Sequence, residues 1–382
     1  MPLMVLLVVT RLNIGGVARH VLRLAKDLGD AGHSVAVATG QVEPHEGDMS
    51  GLADAYGVQV VHIPGLGRSI SWRDDWRAFL ALRKLVKELR PDVVHTHTAK
   101  AGTLGRIVAL LARTRRIVHT YHGHVFHGYF SPVKTAIILS VERTLAWGTD
   151  HFIALSKTQQ NELSERYRIA AAHKFTVIPL GISAYDLGAS QHNGSNVRDD
   201  LNLPPAVKLV AAVGRIVPIK NPGLFLNIAK ICCQQEPAAH FIFVGRGEAE
   251  QETQRMAQET GLAGQVHFLG WRDDLASIYS QIDALLITSQ NEGTPYSILE
   301  AMSLNCPVVA TKVGGVPDMI RHEETGLLFD SGDSEAGAAA ILRVLRDEAV
   351  RNEIADAARF YVRANYSHER VLQQILDVYC GE

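Results

Sequence analysis

NEGTPYSILEAMSLNCPVVATKVGGVP, residues Asn291 to Pro317, sets two glutamates, Glu292 and Glu300, around a loop that opens a helix. Gly293, Thr294 and Pro295 make a tight lead-in, with Pro295 suited to the first helical turn, where its missing N–H costs nothing. The backbone amides that follow, at Tyr296, Ser297, Ile298 and Leu299, carry a positive partial charge at the helix start and form a seat for phosphate. Carboxylates beside an anion site are unfavourable unless they bind hydroxyl groups of the same ligand. Phosphate plus two carboxylates therefore points to a sugar nucleotide, with ribose on one glutamate and hexose on the other. The competing reading is a strand-helix crossover whose acids lie near a helix N-terminus, where acids are common.

Composition sets the outer bounds. A chain of 382 residues, 47% hydrophobic and 20% charged, exceeds one ordinary core and points to two domains. The opening MPLMVLLVV has no basic flank and runs into Arg11-Leu12-Asn13, so it reads as a buried first strand rather than a signal peptide. No segment reaches the roughly 18 apolar residues of a membrane-spanning helix. Cys232, Cys233, Cys306 and Cys380 fall in no metal-binding spacing, which fits reduced thiols in a cytosolic protein.

The net charge of -2 hides an asymmetry. Residues 1–180 hold 22 Lys+Arg against 14 Asp+Glu, whereas residues 181–382 hold 16 against 26. A basic first half attracts anionic lipid headgroups or a phosphate-bearing acceptor, and ordinary drift in surface charge is the plainer reading.

Short apolar runs alternate with amphipathic stretches of helical length, the pattern of parallel sheets covered by crossover helices, and the pattern occurs twice. Strands are expected near Met4–Val9, Ser34–Ala38, Val58–Ile63, Val93–Thr96, Ile117–Thr120, Phe152–Leu155 and Thr176–Ile178. The second half restarts with KLVAAVGR, FIFVGRG, VHFLGW, ALLITS, PVVATKV and TGLLF. The fold class is α/β, two Rossmann-like doubly wound domains. LGASQHNGSNVRDDLNLPP lacks a hydrophobic period and is the linker, which places the domains at 1–187 and 188–365.

Several groups carry chemistry. Gly214 and Arg215 follow the first strand of the second half, and Lys220 stands in the same loop; two cations there would hold a diphosphate and stabilise its growing charge as a leaving group. Gly245 makes a turn that brings backbone close to a ligand. Trp271 reads equally as a nucleobase contact or as packing. Gly15 and Gly16 form a strand-to-helix turn that either faces a ligand or is a bare tight turn. Six of the 17 histidines gather at His95, His97, His119, His122, His124 and His127. Zinc would need three ligands at defined geometry, and satisfied structural histidines are the expectation for His95, His97 and His119.

The string EGTPYSILEAMSLNCPVVATKVGGVPDMI, with THTAKAGTLGRI and HTYHGHVF, closely resembles family 4 glycosyltransferases of the GT-B fold, in particular the bacterial branch that builds surface polysaccharides and lipid-linked oligosaccharides. The resemblance covers nearly the whole chain. It departs at Ser183, where aspartate is frequent, and in the linker.

The resemblance implies a hexosyltransferase that moves a hexose or N-acetylhexosamine from a nucleotide diphosphate sugar, UDP-linked, to a glycan or polyprenyl-diphosphate acceptor with retention. The two domains would face a central cleft: an N-terminal acceptor domain, with residues 366–382 packing back on it, and a C-terminal donor domain. Arg215 and Lys220 would hold the diphosphate, Glu300 the ribose, Glu292 the sugar hydroxyls, and His122 the sugar from the opposite domain; Gly15 and Gly16 would face donor and acceptor. No cofactor, metal or nucleic acid is implied, and no Asp-x-Asp motif stands in the donor region. The expected place is the cytoplasm, peripheral at the inner face of the cell membrane, with Phe126, Tyr129 and Phe130 edging an anionic-lipid contact; burial of these aromatics in the core of the first domain is the competing reading. A sugar-nucleotide epimerase and a non-catalytic sugar-nucleotide sensor remain as alternatives.

Overall fold

The structure is a computed structural model that describes residues 1–43, 47–67, 69, 71–123, 126, 131–182 and 196–381. It divides into two compact units, Met1–Gly181 with His368–Glu382, and Ile182–Ser367. The expected boundary near Gly188, Ser183, and the residues His124, His127, Tyr129 and Phe130 lie outside the described residues.

Among its described residues the first unit holds seven strands: β1 (Met4–Arg11), β2 (Ser34–Gly40), β3 (Gln59–His62), β4 (Val93–His97), β5 (Arg116–Tyr121), β6 (His151–Ala154) and β7 (Phe175–Val177). They pair in the order β3-β2-β1-β4-β5-β6-β7, all parallel. A strand buried on both faces reads as an unbroken apolar run, and Val5 to Val9 are fully buried. Helix α1 (Gly16–Asp30) packs Val21, Leu24 and Leu28 on one face of the sheet. The helix His368–Cys380 adds Val371, Ile375, Val378 and Tyr379 to the same core.

Between α1 and α3 lies α2 (Ser50–Tyr56); α3 (Trp72–Leu89) and α4 (Ala99–Ala112) cover the other face, followed by α5 (Pro132–Trp147). Arg106 of α4 is fully buried, and its Nη2 donates to both oxygens of Glu142 of α5 at 2.8 Å. Tyr121 Oη donates to the same carboxylate at 2.7 Å. A buried charge is tolerated only when paired and hydrogen-bonded, so this contact ties α4, α5 and the end of β5 together.

The second unit repeats the scheme with β8 (Lys208–Val213), β9 (Ala239–Val244), β10 (Val266–Gly270), β11 (Ala284–Ile287), β12 (Val308–Thr311) and β13 (Leu327–Phe329). Their order is β10-β9-β8-β11-β12-β13, again all parallel. In each sheet the chain moves outward from the first strand, then returns to its other side. Ligands of such sheets bind at the carboxyl ends beside that reversal, here next to β8 and β11.

One expectation fails on packing. Phe126, expected to edge a membrane contact, is 7% exposed and its ring lies tilted against that of Tyr167 with centroids 5.1 Å apart. It belongs to a core with Phe152 and Phe175, because a phenyl ring gains more from burial among aromatics than from water.

Candidate functional site

The second unit gathers its polar groups at the carboxyl ends of β8, β9 and β11. The Gly214 amide donates to the Val244 carbonyl at 2.9 Å and the Ile216 amide to Arg246 at 3.0 Å, so the two strand ends stay joined past the sheet. Arg215 sits exposed on this outer edge. Asn221 turns the chain with φ 51° and caps the helix Pro222–Gln235 by accepting from the Leu224 amide at 3.3 Å. Thr288 Oγ1, just past β11, donates to the Lys220 carbonyl at 2.9 Å. A small recess of about 40 Å³ results, lined by Gly214, Arg215, Lys220, Thr288 and Ser289 among others.

Gly245 explains how closely the backbone packs there. A Cβ on it would stand 2.0 Å from the Gly214 carbonyl oxygen, and its φ of 138° disfavours a side chain as well. Its amide donates to Gly270 at 2.7 Å, and Trp271 lies against the turn, half-buried. Trp271 is thus a wall of the Gly245 turn rather than part of the central core.

Glu292 is oriented by two donors. Ser289 Oγ donates to its Oε1 at 2.6 Å, and Lys220 Nζ pairs with the same oxygen. The Glu292 carbonyl accepts from Gly315 at 3.0 Å, and Gly314, with φ 52°, passes so close that a Cβ would fall 1.9 Å from that carbonyl. Glycine at this position lets two loops touch.

The helix after this loop runs Tyr296–Ser303 and differs from the expectation in two ways. Pro295 is its cap (φ -66°, ψ 120°) and not a member of its first turn, because it precedes the first helical φ/ψ pair. Ile298 already donates to the Pro295 carbonyl at 3.2 Å, so the amides that precede any intrahelical acceptor are those of Tyr296 and Ser297. The Ile298 and Leu299 side chains are fully buried, and Thr294 and Tyr296 nearly so; Gly293 is half-buried. Glu300, 4% exposed, accepts from Tyr279 Oη at 2.9 Å.

The first unit carries its own polar cluster. Gly15 and Gly16 open α1 directly after β1, and α1 carries His20 to a ring-centroid distance of 5.3 Å from His122, just past β5. His97, at the end of β4, is fully buried with its Nδ1 2.9 Å from His122 Nε2. His95 is satisfied at both nitrogens, by Tyr379 Oη and Thr120 Oγ1, each at 2.7 Å. His119 Nδ1 meets Thr96 Oγ1 at 2.8 Å.

His97 departs from the expected satisfied histidine: its Nε2, like His122 Nδ1, is buried without a hydrogen-bond partner among the described residues. Burial, reinforced by the neighbouring imidazoles, pushes the basicity of these rings down, to about 4 for His20 and about 3 for His95, and well below the usual range for His97, His119 and His122. Among the described residues no three His, Cys, Asp or Glu side chains are placed to hold a metal ion.

Within the second unit, then, the structure brings Gly214, Arg215, Lys220, Gly245, Trp271 and Glu292 to one edge, and within the first unit it brings Gly15, Gly16 and His122 to another. Sequence reading missed Ser289, Tyr279, His20 and the tie between His97 and His122. Ser289 ends a strand run and could have been found; Tyr279 lies on another helix, with no local signal.

Comparison with known proteins agrees with this architecture. The family model for glycosyltransferase family 4 matches residues 14–184, and that for glycosyl transferases group 1 matches residues 195–360. The chain is 29% identical over 325 residues to the Escherichia coli UDP-Gal:alpha-D-GlcNAc-diphosphoundecaprenol alpha-1,3-galactosyltransferase, covering 84% of each protein. It is 27% identical to the D-inositol 3-phosphate glycosyltransferase of Corynebacterium urealyticum, covering 96% of this chain and 91% of that one. Among solved structures, Anabaena HepE in complex with UDP and glucose superposes with a TM-score of 0.83 at 22% identity over the full length of both chains. With two parallel Rossmann-like sheets and a family match in each, the chain belongs to the family 4 glycosyltransferases of the GT-B fold.

Proposed function

We propose that the protein transfers a hexose or N-acetylhexosamine from a UDP-sugar to a hydroxyl of a glycan or polyprenyl-diphosphate-linked acceptor, with retention at the anomeric carbon. The observation that carries this reading is the shared recess of Arg215 and Lys220 beside Glu292, which offers cations to a diphosphate and a carboxylate to sugar hydroxyls at one strand edge. Similarity to a relative named for UDP-Gal and a diphosphoundecaprenol acceptor supports the choice of substrates.

In this reading the diphosphate seats against Arg215, Lys220 and the amides of Tyr296 and Ser297. Glu300 takes the ribose hydroxyls, Glu292 the sugar hydroxyls, and His122 the transferred sugar. The anomeric C–O bond to the diphosphate breaks as the acceptor oxygen bonds to the same face. The departing phosphate oxygen takes the acceptor proton, and the cations stabilise the charge that gathers on it.

The experiment is incubation with UDP-galactose, UDP-glucose and their N-acetyl counterparts, with and without a polyprenyl-diphosphate sugar acceptor. Product whose new linkage keeps the donor's α-configuration by NMR is expected, only when acceptor is present. An altered sugar nucleotide formed from donor alone would identify an epimerase, and saturable binding without any product would identify a sensor.

The lipid-linked acceptor brings an anionic membrane with it, and α5 is the part of the first unit suited to meet one. Val133, Ile137 and Val141 recur every fourth residue along its exposed side, and Trp147 at its end is 90% exposed. From Asp92 to Asp150 the only intervening carboxylate is Glu142, which is turned inward onto Arg106. The exposed side of α5 is therefore apolar and shows no carboxylate of its own helix, with tryptophan at its rim, a composition that favours the lipid interface. Among the described residues no helix is long and apolar enough to cross a membrane. Sedimentation with anionic vesicles should be lost in Trp147→Ser/Ile137→Ser; equal sedimentation of that variant and the parent would remove α5 from the contact.

A further inference from the structure

Among the described residues, the group of the proposed reaction that His97 meets is His122. Its ring is fully buried, leans on His95 with centroids 4.2 Å apart, and spends its one hydrogen bond on His122 Nε2 at 2.9 Å. His95 is itself held at both nitrogens, so His97 rests on a fixed wall. With Nε2 engaged, Nδ1 is the ring nitrogen of His122 that remains for a ligand. We propose that His97 is a positioning residue that sets the orientation and tautomer of His122, so that His122 Nδ1 serves a hydroxyl of the transferred sugar as donor or as acceptor. The inference rests on the reading that His122 meets that sugar.

Burial keeps both rings neutral, so each carries one N–H. If His97 Nδ1–H donates to His122 Nε2, then His122 carries its proton on Nδ1 and His97 Nε2 is bare. If His122 Nε2–H donates instead, His122 Nδ1 is bare and His97 carries the N–H on Nε2. Both nitrogens in question are buried without partners among the described residues, so each arrangement leaves one unmatched N–H and one unmatched lone pair. Hydrogen-bond count among the described residues favours neither state, and a ligand at Nδ1 decides between them. A hydroxyl group, which both donates and accepts, fits either state without moving a ring.

The test uses the full-length protein labelled with ¹⁵N-histidine, and UDP-galactose as the probe. Ring ¹⁵N shifts of His122 should report a mixture of tautomers that UDP-galactose displaces and that His97→Phe collapses to one form. In transfer assays His97→Phe should lower kcat by about 10- to 100-fold, the usual cost of losing a partner that fixes a histidine's tautomer and orientation, while leaving the donor KM and UDP affinity within threefold. His97→Asn, whose amide can take the place of Nδ1, should recover a large part of that loss. A His122 tautomer indifferent to both His97→Phe and UDP-galactose would overturn the proposal; should His97→Phe not fold, the parent's response to UDP-galactose and the His97→Asn rate decide it. If His122→Ala turns over at the parent rate, the reading of His122 at the sugar is wrong. If His122→Ala is impaired but His97→Phe is not, only the role of His97 falls.

Discussion

Lys220 and Glu292, 72 residues apart in sequence, form an ion pair in which the cation assigned to the diphosphate neutralises the carboxylate assigned to the sugar. The Glu292 side chain is 9% exposed and the Lys220 side chain 35%, so screening by water is incomplete on the carboxylate side. Each group holds the other at the recess until substrate competes for both.

The two residues should therefore behave as a unit. Lys220→Ala and Glu292→Gln are each expected to lower kcat/KM, and the double variant to lose less than the product of the two. A coupling of about 1 kcal/mol, roughly fivefold, is the expected size for side chains sharing one network. Strict additivity in a double-mutant cycle would separate their roles. Arg215 has no such partner among the described residues, and Arg215→Ala should cost turnover about 10- to 150-fold through the lost charge-assisted contact.

Glu300 and Glu292 should part company in nucleotide binding. Glu300→Gln is expected to weaken UDP measured by calorimetry, whereas Glu292→Gln should spare UDP and lower turnover. Tyr279→Phe removes the hydroxyl that donates to Glu300 and should shift UDP affinity in the same direction by a smaller factor. Equal effects of the two glutamates on UDP would show that the division is misassigned.

Gly314→Ala should damage the loop that carries Glu292. The added methyl would meet the Glu292 carbonyl at 1.9 Å, and the residue sits at φ 52°. Backbone strain of this kind costs about 1 to 3 kcal/mol. Thermal unfolding should show a lower Tm, with activity falling further than the Tm change explains, since the displaced atoms belong to the Glu292 backbone.

The buried histidines predict an acid-sensitive first unit. In the fold His20 holds its proton only below about 4 and His95 only below about 3, whereas the unfolded chain takes protons near 6.5. The stability these rings contribute is fully present above pH 6.5. It is lost as pH falls through 6.5 toward the folded values, by about 1.4 kcal/mol per pH unit for each ring. Denaturant titrations from pH 7.5 to 4.5 should show this decline, and His20→Leu should flatten it. A pH-independent midpoint across that range would refute the cluster's neutrality.

Activity should survive a chelator, because Arg215, Lys220 and a helix N-terminus are asked to neutralise the diphosphate by themselves. Loss of transfer on adding EDTA, with recovery on manganese or magnesium, would require a different donor site.

The thirteen strands of the described residues were legible in the sequence, most of them as apolar runs bounded by turn residues, the mark of a parallel strand covered on both faces and a property of neighbours in the chain. The two-sheet α/β class follows from counting those runs. Gly214, Arg215, Lys220, Glu292 and Glu300 were legible for a related reason: each stands at a fixed offset from a strand end or helix start.

What the sequence left open depends on register and on side chains meeting from distant segments. No local pattern pairs Lys220 with Glu292 or Tyr279 with Glu300. Sequence left Phe126 open between surface and core, and its contact with Tyr167 decides for the core. His97 and His122 meet because β4 and β5 pair with His97 beside Thr120, which sends His122, two residues further on, to the same side of the strand. A shift of one residue in that register would send His122 to the opposite face. Periodicity determined which segments became strands; only the packed sheet decided which histidine met which.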